Sequence, residues 1–312
     1  MRVLVTGGAG FIGSHIVAQS LASGLQVAVL DNFSSGKRKN VPDGVRIFEV
    51  DLRDREGTLR AVTEFAPDLV SHQAAQASVP HSMKDPRFDA EVNVIGGLNL
   101  LDACQAAKVQ SLVFASTGGA IYGEVPDGQR ATESYPLQPK SPYGISKLAF
   151  EQLLAVLGPT RGLKTTVLRY ANVYGPRQDP HGEAGVVAIF FDSALAGQTL
   201  KVFARRNEGD GGCVRDYVYV GDVARANLQA MTGKLGLPLM NVASGEPTTT
   251  LELARQIVAH CGSRSDIVQA GVRLGDVECS LLDPTRFTQA LGAPTPLAAG
   301  LTETARYYRE QA

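Results

Sequence analysis

The sequence predicts an α/β protein of Rossmann type, with a doubly wound parallel sheet and a smaller C-terminal substrate-binding lobe. Three observations predict this class. Short runs rich in Val, Leu and Ile alternate with helical patterns through the first half of the chain. A glycine-rich turn joins the first apolar run to the first helical pattern. After about residue 172, glycine and proline interrupt the rhythm.

The predicted strands of the first section are apolar on both faces, as is typical of buried parallel strands. They are Val3–Thr6, Gln26–Asp31, Val45–Asp51, Asp68–Ala74, Ser111–Thr117 and Thr165–Tyr170. Helices are predicted between them, near residues 12–23, 55–65, 86–107 and 142–157. We therefore expect residues 1–172 to form a dinucleotide-binding domain.

Residues 173–312 are expected to form mainly the substrate-binding lobe. Short strands are predicted at 199–203 and 214–219, and helices near 221–232, 250–261 and 297–310. The sequence does not define this boundary sharply, because a late strand can return to the main sheet.

Composition is that of an ordinary globular protein: 312 residues, 44% hydrophobic and 20% charged. A net charge of −1 gives no general attraction to nucleic acid or an anionic membrane, so we expect neither as a partner. The four cysteines, Cys104, Cys213, Cys261 and Cys279, lack metal-ligand spacing, so no metal is expected. With no secretory signal pattern and no apolar run of about 20 residues, we expect a cytoplasmic protein.

The segment Thr6–Gly13 reads TGGAGFIG and follows the first strand directly. Glycines in a strand–turn–helix context let a pyrophosphate approach the backbone, where the helix N-terminus offers free N–H groups. Such a motif alone is also typical of an ordinary glycine-rich turn. Here the strand before it and the helix after it favour a dinucleotide site.

Asp31 ends the second predicted strand. A carboxylate there accepts hydrogen bonds from a ribose diol and repels a 2′-phosphate, which favours NAD over NADP. The alternative is that Asp31-Asn32 serves only as a turn. Asp51-Leu52, at the end of the third strand, is a weaker candidate for the adenine end of the cofactor.

Tyr143 and Lys147 lie four residues apart at the start of a predicted helix, so they share one face. An ammonium beside a tyrosine favours the phenolate, which makes the phenol a usable base near neutral pH. By itself the spacing occurs by chance in many helices. Its position after the fifth strand places it at the carboxyl end of the sheet, where ligands bind in such folds. The hydroxyls of Ser116 and Thr117 end that fifth strand and either can orient a substrate alcohol.

These segments together resemble the extended short-chain dehydrogenase/reductase family, and within it the nucleotide-sugar 4-epimerase branch. The resemblance covers essentially the whole chain. It is carried by TGGAGFIG, Asp31-Asn32, His72–Ala75, Asn93, Ser116-Thr117, Tyr122-Gly123, Tyr143–Lys147, Leu168–Arg177, Arg215–Val220 and Asn241–Gly245.

The resemblance implies roles for individual residues. Thr117, Tyr143 and Lys147 are expected to be catalytic, with Ser116 as the alternative hydroxyl because Thr117 and Tyr122 are spaced one residue wider than in many relatives. The residues expected at NAD are Gly7, Gly10, Phe11, Ile12, Gly13, Asp31, Asn32, Asp51, Leu52, Ala74, Ala75, Asn93, Ser116, Tyr143, Lys147 and Tyr170. Those expected at the substrate are Thr117, Asn172, Arg215, Arg273 and Ser280. The family also implies a homodimer formed through the helices near 86–107 and 142–157.

Within the family, dehydratases carry Asp-Glu directly after the catalytic hydroxyl residue, and decarboxylases carry Glu in this segment. Gly118, Gly119 and Ala120 stand here and cannot transfer a proton. We therefore expect reversible oxidation and reduction at one carbon, that is, 4-epimerisation of a UDP-hexose. Glu124 is interpreted as a loop residue. Ser280 is small where a bulky aromatic excludes N-acetyl groups, so UDP-N-acetylhexosamines are expected as substrates too.

Two other interpretations remain at this point. One is a UDP-uronic acid 4-epimerase, or another nucleotide-sugar epimerase, with the same chemistry. The other is a non-catalytic NAD-binding sensor, although such proteins usually lose the tyrosine–lysine pair.

Overall fold

The computed structural model describes residues 1–181, 185–273 and 277–311. The chain divides into two compact units that interleave along the sequence. The first unit comprises Met1–Ile121, Pro139–Arg169 and Val223–Met240, and the second comprises Tyr122–Gln138, Tyr170–Asp222 and Asn241–Ala312.

The main sheet has seven strands. They are β1 (Arg2–Thr6), β2 (Gln26–Asp31), β3 (Arg46–Glu49), β4 (Leu69–His72), β5 (Ser111–Thr117), β6 (Lys164–Tyr170) and β10 (Leu239–Val242), in the spatial order β10-β6-β5-β4-β1-β2-β3. β1 pairs in parallel with both β2 and β4, so the strand order reverses at β1. The predicted Rossmann-type class is confirmed, and the late strand β10 lies at the edge of the sheet.

The helices that accompany this sheet include the predicted ones, near their expected bounds, and two short ones, at 79–84 and 118–121, that were not predicted. They are α1 (Phe11–Ala22), α2 (Arg55–Phe65), α3 (Val79–Lys84), α4 (Pro86–Ala90), α5 (Gly96–Ala106), α6 (Gly118–Ile121), α7 (Pro142–Thr160) and α9 (Val220–Met231). The single helix predicted near 86–107 contains a π-helical turn at Glu91–Ile95, between α4 and α5. Hydrophobic periodicity does not reveal such a turn, because it adds one residue without changing the overall direction of the helix.

The core of the first unit lies between the sheet and the helices α2, α5 and α7. Its fully buried members include Leu4, Leu30, Leu100, Phe114 and Phe150. Because β1, β4 and β5 are apolar on both faces, they are buried on both sides, as the sequence pattern predicts.

The second unit is built from short strands and four helices within the described residues. The strands are β7 (Asn172–Tyr174), β8 (Leu200–Phe203), β9 (Val214–Tyr219), β11 (Pro247–Thr249), β12 (Ile267–Ala270) and β13 (Cys279–Ser280). The helices are α8 (Val186–Leu195), α10 (Thr250–Cys261), α11 (Thr285–Leu291) and α12 (Leu297–Gln311). β7, β11 and β13, of two or three residues, are too short to show a usable periodicity, and neither they nor β12 were predicted.

Within the described ranges, the chain contains no helix that is both long and apolar enough to cross a bilayer. The same ranges contain no cluster of three or more His, Cys, Asp or Glu side chains suited to a metal ion.

Candidate active site

The glycine turn after β1 has the geometry of a backbone cradle. Gly7 has a φ of +66°, which favours a residue without a Cβ. A Cβ added at Gly13 would lie 2.1 Å from the carbonyl oxygen of Gly7. Phe11 and Ile12 open α1 directly after this turn, so the helix N-terminus follows the bare backbone. The segment therefore fits the diphosphate of a dinucleotide, as predicted from its sequence.

Asp31 joins the end of β2 to this turn. One carboxylate oxygen accepts a hydrogen bond from the Ala9 N–H at 2.9 Å, and the other accepts one from the Phe33 N–H at 2.8 Å. Burial raises the pKa of the carboxyl group, and the two backbone donors act in the opposite direction. Asp31 thus shapes the glycine turn itself, a structural role that its position in the sequence did not indicate.

Asn32 and Asp51 meet at the ends of two adjacent strands. The Asn32 amide donates to Asp51 at 2.9 Å, and Arg53 donates to the same carboxylate at 2.8 Å. The hydrogen bond from Arg53 holds the pKa of Asp51 well below its usual range, despite some desolvation. Leu52, beside them, is buried.

Asn93 lies in the π-helical turn and is fully engaged with the protein. Its amide oxygen accepts from the Gln76 N–H at 2.9 Å, and its amide nitrogen donates to the Gln76 carbonyl at 2.9 Å and to Ser146 Oγ at 3.1 Å. The turn therefore connects the segment after β4, which contains Ala74 and Ala75, to helix α7.

Helix α7 carries the tyrosine and the lysine. It begins with a sequence suited to a helix start: Ser141 caps the N–H of Gly144, and Pro142 occupies the first turn. Tyr143 is half-buried, whereas Lys147 is only 3% exposed. Lys147 Nζ donates to the Ala115 carbonyl at 2.9 Å and lies 4.8 Å from the centre of the Phe114 ring. The ammonium is thus fixed against β5, one helical turn from Tyr143.

The two hydroxyls at the end of β5 have different surroundings. Ser116 Oγ donates to the Glu151 carboxylate inside the core. The Thr117 hydroxyl makes no hydrogen bond within the described ranges. Adjacent residues of a strand face opposite sides, so only one of the two can point away from this internal network. This geometry favours Thr117 as the hydroxyl open to a ligand.

Three buried groups near these residues escaped prediction. His72 Nδ1 lies 2.8 Å from Thr6 Oγ1, and its ring packs against Phe114 and Phe150. Burial, followed by the charge of Lys147, lowers the pKa of His72 to about 3, so the imidazole is neutral. The other two are Glu151 and Arg169, which form a buried ion pair. The one signal in the sequence was Arg169, the single charged residue of the strand predicted at Thr165–Tyr170.

Thr117 lies in the first unit, whereas the other candidate substrate residues and the last cofactor candidate, Tyr170, lie in the second unit. β9 organises three of them. Ser280 of β13 is in register with Arg215 of β9, and Asn172 of β7 is in register with Tyr217. Residues in register on neighbouring strands project from the same face of a sheet.

The Arg215 guanidinium donates to the Val214 carbonyl at 3.0 Å, and the Asn172 amide donates to the Asp216 carbonyl at 3.1 Å. Arg273 is exposed, and its guanidinium lies 5.4 Å from the centre of the Phe203 ring. The Leu274–Asp276 segment between Arg273 and Ser280 is outside the described residues.

Two carboxylates hold the short strand that carries Ser280. Asp216 is completely buried and accepts from the N–H groups of Ser244, Gly245 and Leu282 and from the Ser244 hydroxyl. Burial raises its pKa, and these donors partly offset that effect. Glu124 accepts from the N–H groups of Glu278 and Cys279 at 2.7 and 3.1 Å. Its interpretation as a structural loop residue agrees with these contacts.

The sheet, the glycine turn and the tyrosine–lysine pair define a class of proteins, the NAD-type dinucleotide-binding enzymes with a helical tyrosine and lysine. Residues 3–243 match the model of the NAD dependent epimerase/dehydratase family, and the chain belongs to that family. This confirms the family predicted from the motifs, and NAD as the cofactor.

Known relatives match over the whole chain. The UDP-glucose 4-epimerase of Mycolicibacterium smegmatis is 42% identical, over 100% of this chain and 99% of its own. The crystal structure of the Thermus thermophilus UDP-glucose 4-epimerase complex with NAD is 55% identical, with a TM-score of 0.95 and 100% of both chains covered. The UDP-glucose 4-epimerase of Thermotoga maritima, solved with UDP-glucose, is 44% identical, with a TM-score of 0.92 and coverage of 100% and 99%.

Proposed function

We propose that this protein is an NAD-dependent UDP-glucose 4-epimerase, an isomerase that interconverts UDP-glucose and UDP-galactose. The observation that carries the proposal is the buried Lys147 ammonium, fixed on the Ala115 carbonyl one helical turn from Tyr143. The full-length similarity to proteins named as this epimerase supports the choice of reaction.

Bound NAD supplies a hydride acceptor that can return the hydride. Tyr143, as a phenolate, takes the proton of the substrate C4 hydroxyl while the C4 hydrogen leaves as hydride, and a 4-keto sugar forms. Lys147 favours the phenolate electrostatically. Thr117 hydrogen-bonds the same substrate oxygen and orients it. Hydride return to the other face of C4, with the proton returned by Tyr143, completes inversion.

The residues around β5 support an epimerase over a dehydratase. Elimination of water requires an additional acid or base beside the sugar. Gly118 and Gly119 offer none, and Glu124 is engaged with two backbone N–H groups. Proton transfer is therefore left to Tyr143.

For NAD, we propose that the glycine turn receives the diphosphate and that Asp31 and Asn32 receive the adenosine ribose. Asn93 and Ser116 have protein partners for their polar groups, so we assign them to the support of the cofactor site. The other proposed cofactor residues keep the roles that the family resemblance implies.

For the substrate, we propose that Arg215 and Arg273 bind the diphosphate, because guanidinium groups form paired bonds with phosphate oxygens. Asn172 donates to the nucleotide sugar. Ser280 is small, at the position where the family resemblance places a bulky aromatic that excludes an N-acetyl group at C2. UDP-N-acetylglucosamine and UDP-N-acetylgalactosamine are therefore included as substrates.

The test offers purified holoenzyme a panel of UDP-sugars and identifies the products by their stereochemistry. We expect UDP-glucose and UDP-galactose to interconvert. A 4-keto-6-deoxy product, conversion of UDP-uronic acids alone, or absence of any conversion would contradict the proposal. A Ser280→Tyr variant should lose UDP-N-acetylgalactosamine turnover and keep UDP-galactose turnover. Retained turnover of both would remove Ser280 as the specificity residue.

We also propose a homodimer formed through α5 and α7. Ile145 and Val156 of α7 are 56% and 66% exposed, and Ile95, just before α5, is 50% exposed. Exposed aliphatic side chains on two neighbouring helices are typical of a surface buried by a partner. Sedimentation velocity should give twice the chain mass, and Val156→Glu should give the monomer. A monomeric wild-type protein would refute this part.

The proposed location is the cytoplasm. The cysteines are free, and Cys104 is fully buried with its pKa raised by burial to about 12. Such inert thiols suit a reducing compartment. Cell fractionation tests this.

A further inference from the structure

A buried ion pair lies directly behind the residues proposed to be catalytic. Glu151 of α7 and Arg169 of β6 have side chains that are only 5% and 4% exposed. The Arg169 guanidinium donates to both carboxylate oxygens, through Nη2 at 2.6 Å and Nε at 3.0 and 3.2 Å. A buried pair is kept at a cost in desolvation, and an apolar pair of similar size would often be as stable. Stability alone therefore does not explain why a buried ion pair occupies this position.

The pair joins the two elements that carry the proposed proton-transfer residues. Ser116 Oγ of β5 donates to Glu151, and Lys147 Nζ of α7 donates to the Ala115 carbonyl of β5. Helix α7 is thus bonded to two consecutive residues of β5, and Thr117 is the next residue along the strand. These bonds fix the position of Thr117 relative to Tyr143.

The same arrangement has an electrostatic consequence. Glu151 follows Lys147 by four residues, so the two side chains lie on one face of α7. A carboxylate without a cation at that position would attract the Lys147 ammonium away from β5 and oppose its effect on the Tyr143 phenol. Arg169 satisfies Glu151 instead, so the pair has no net charge.

Other charged groups lie on the elements packed against α7. Asp89 of α4 is buried and accepts from the side chains of Gln76 and Asn93. His72 is neutral. The remaining charged groups on these helices within the described ranges are exposed, namely His81, Lys84, Arg87 and Glu91. Water screens exposed charges strongly, so the buried charges that can alter the field at Tyr143 from these elements are Asp89 and the Glu151–Arg169 pair.

We propose that Glu151 and Arg169 are positioning residues for the proton transfer, which rests on the function proposed above. Glu151 anchors β5 through Ser116, and Arg169 cancels the charge of Glu151 so that Lys147 acts on Tyr143. Neither residue contacts the reacting atoms.

The experiment measures the pKa of Tyr143 in the holoenzyme from phenolate ultraviolet absorbance, as the difference from the same background with Tyr143→Phe. Arg169→Met leaves a bare carboxylate and should raise the Tyr143 pKa by about one unit. Glu151→Gln leaves a bare guanidinium and should lower it by about as much. The double variant, Glu151→Gln with Arg169→Met, should return the pKa to the wild-type value. The pH profile of kcat should move in the same directions.

Ser116→Ala isolates the geometric half of the proposal, because it removes the anchor and leaves both charges. We expect kcat to fall about tenfold with little change in KM, and the Tyr143 pKa to stay unchanged. Glu56→Gln breaks an exposed ion pair on α2 and serves as the control, with kcat and the Tyr143 pKa as in wild type.

Folded single-charge variants with the wild-type Tyr143 pKa would overturn the electrostatic half. Full kcat in Ser116→Ala would overturn the geometric half. If the single-charge variants do not fold, the double variant, Glu151→Gln with Arg169→Met, provides the test. A Tyr143 pKa in that variant that differs from wild type would overturn the claim that the two charges cancel at Tyr143. A wild-type protein that titrates normally but converts no UDP-hexose contradicts the proposed function alone.

Discussion

The proposed catalytic corner of the first unit, formed by Tyr143, Lys147 and Thr117, and the β9 sheet of the second unit hold their side chains by different means. In the first unit, a 19-residue helix and a seven-residue strand carry Tyr143, Lys147 and Thr117. In the second unit, strands of two and three residues carry Ser280 and Asn172. Such short strands supply few ladder bonds of their own, so Asp216 and Glu124 accept backbone N–H groups around them.

The two regions also differ in how a buried carboxylate is matched. In the catalytic corner, the buried carboxylate of Glu151 is matched by a charge, the Arg169 guanidinium. Around β13, a buried carboxylate is matched by neutral N–H and O–H donors. The first arrangement controls the field at a reacting group, whereas the second controls the course of the backbone. Variants in the two regions should therefore fail in different ways.

The largest effect is expected from Tyr143→Phe. The ring still packs, but the phenol that exchanges the C4 proton is lost, so kcat should fall about 10²- to 10⁴-fold. The measurement is the rate of UDP-galactose conversion, with bound NAD determined in the same preparation. NAD content and thermal unfolding should match wild type, because the change leaves the glycine turn and the core intact. More than a tenth of wild-type kcat would assign the proton transfer to another group.

Asp216→Asn should break the second arrangement. An amide nitrogen then faces N–H donors that a carboxylate accepted, so we expect a loss of about 2 kcal/mol in the free energy of unfolding. The KM for UDP-glucose should rise, because Asp216 fixes the strands that carry Arg215 and Ser280. NAD content should not change. Denaturant unfolding and steady-state kinetics measure both effects, with Glu303→Gln, at an exposed pair on α12, as the control. A fall in kcat at unchanged KM would contradict the role of Asp216 in holding the strands that carry the substrate residues.

The sequence alone predicts the long elements of the first unit better than the short strands of the second. The parallel strands, the glycine turn, Asp31, Tyr143 and Lys147 were predictable because long elements and fixed spacings leave clear periodic patterns. The bonds that position them were not, since Ser116 with Glu151, and Thr6 with His72, are distant in sequence and obey no spacing rule. In the second unit the residues were identified by family resemblance, and the carboxylates that support them were not.

The catalytic corner should also weaken in mild acid. The pKa of His72 is about 3 in the folded protein, mainly because of burial and also because of Lys147, against an ordinary value of 6.5. Between these values the unfolded chain binds a proton that the native state does not, so stability falls as pH falls. The slope is about 1.4 kcal/mol per pH unit, or about 2 kcal/mol between pH 6.5 and 5.

Urea unfolding at a series of pH values measures this slope. His72→Gln provides the comparison, because its amide can donate to Thr6 and does not titrate in this range. The variant should lose less stability than wild type between pH 6.5 and 5, by about 2 kcal/mol. Equal slopes in the two proteins would mean that other groups govern the acid sensitivity.

The smallest effect is expected from Glu124→Gln. The glutamine carbonyl can keep one of the two N–H groups of residues 278 and 279, and water can reach the other because Glu124 is exposed. The free energy of unfolding should fall by about 0.5–1 kcal/mol. Because Glu124 transfers no proton in the proposed reaction, kcat should stay within about twofold of wild type. A hundredfold loss of kcat without loss of folding would instead make Glu124 an acid or base in the reaction. The side chains that transfer protons would then include one that also holds the backbone of β13.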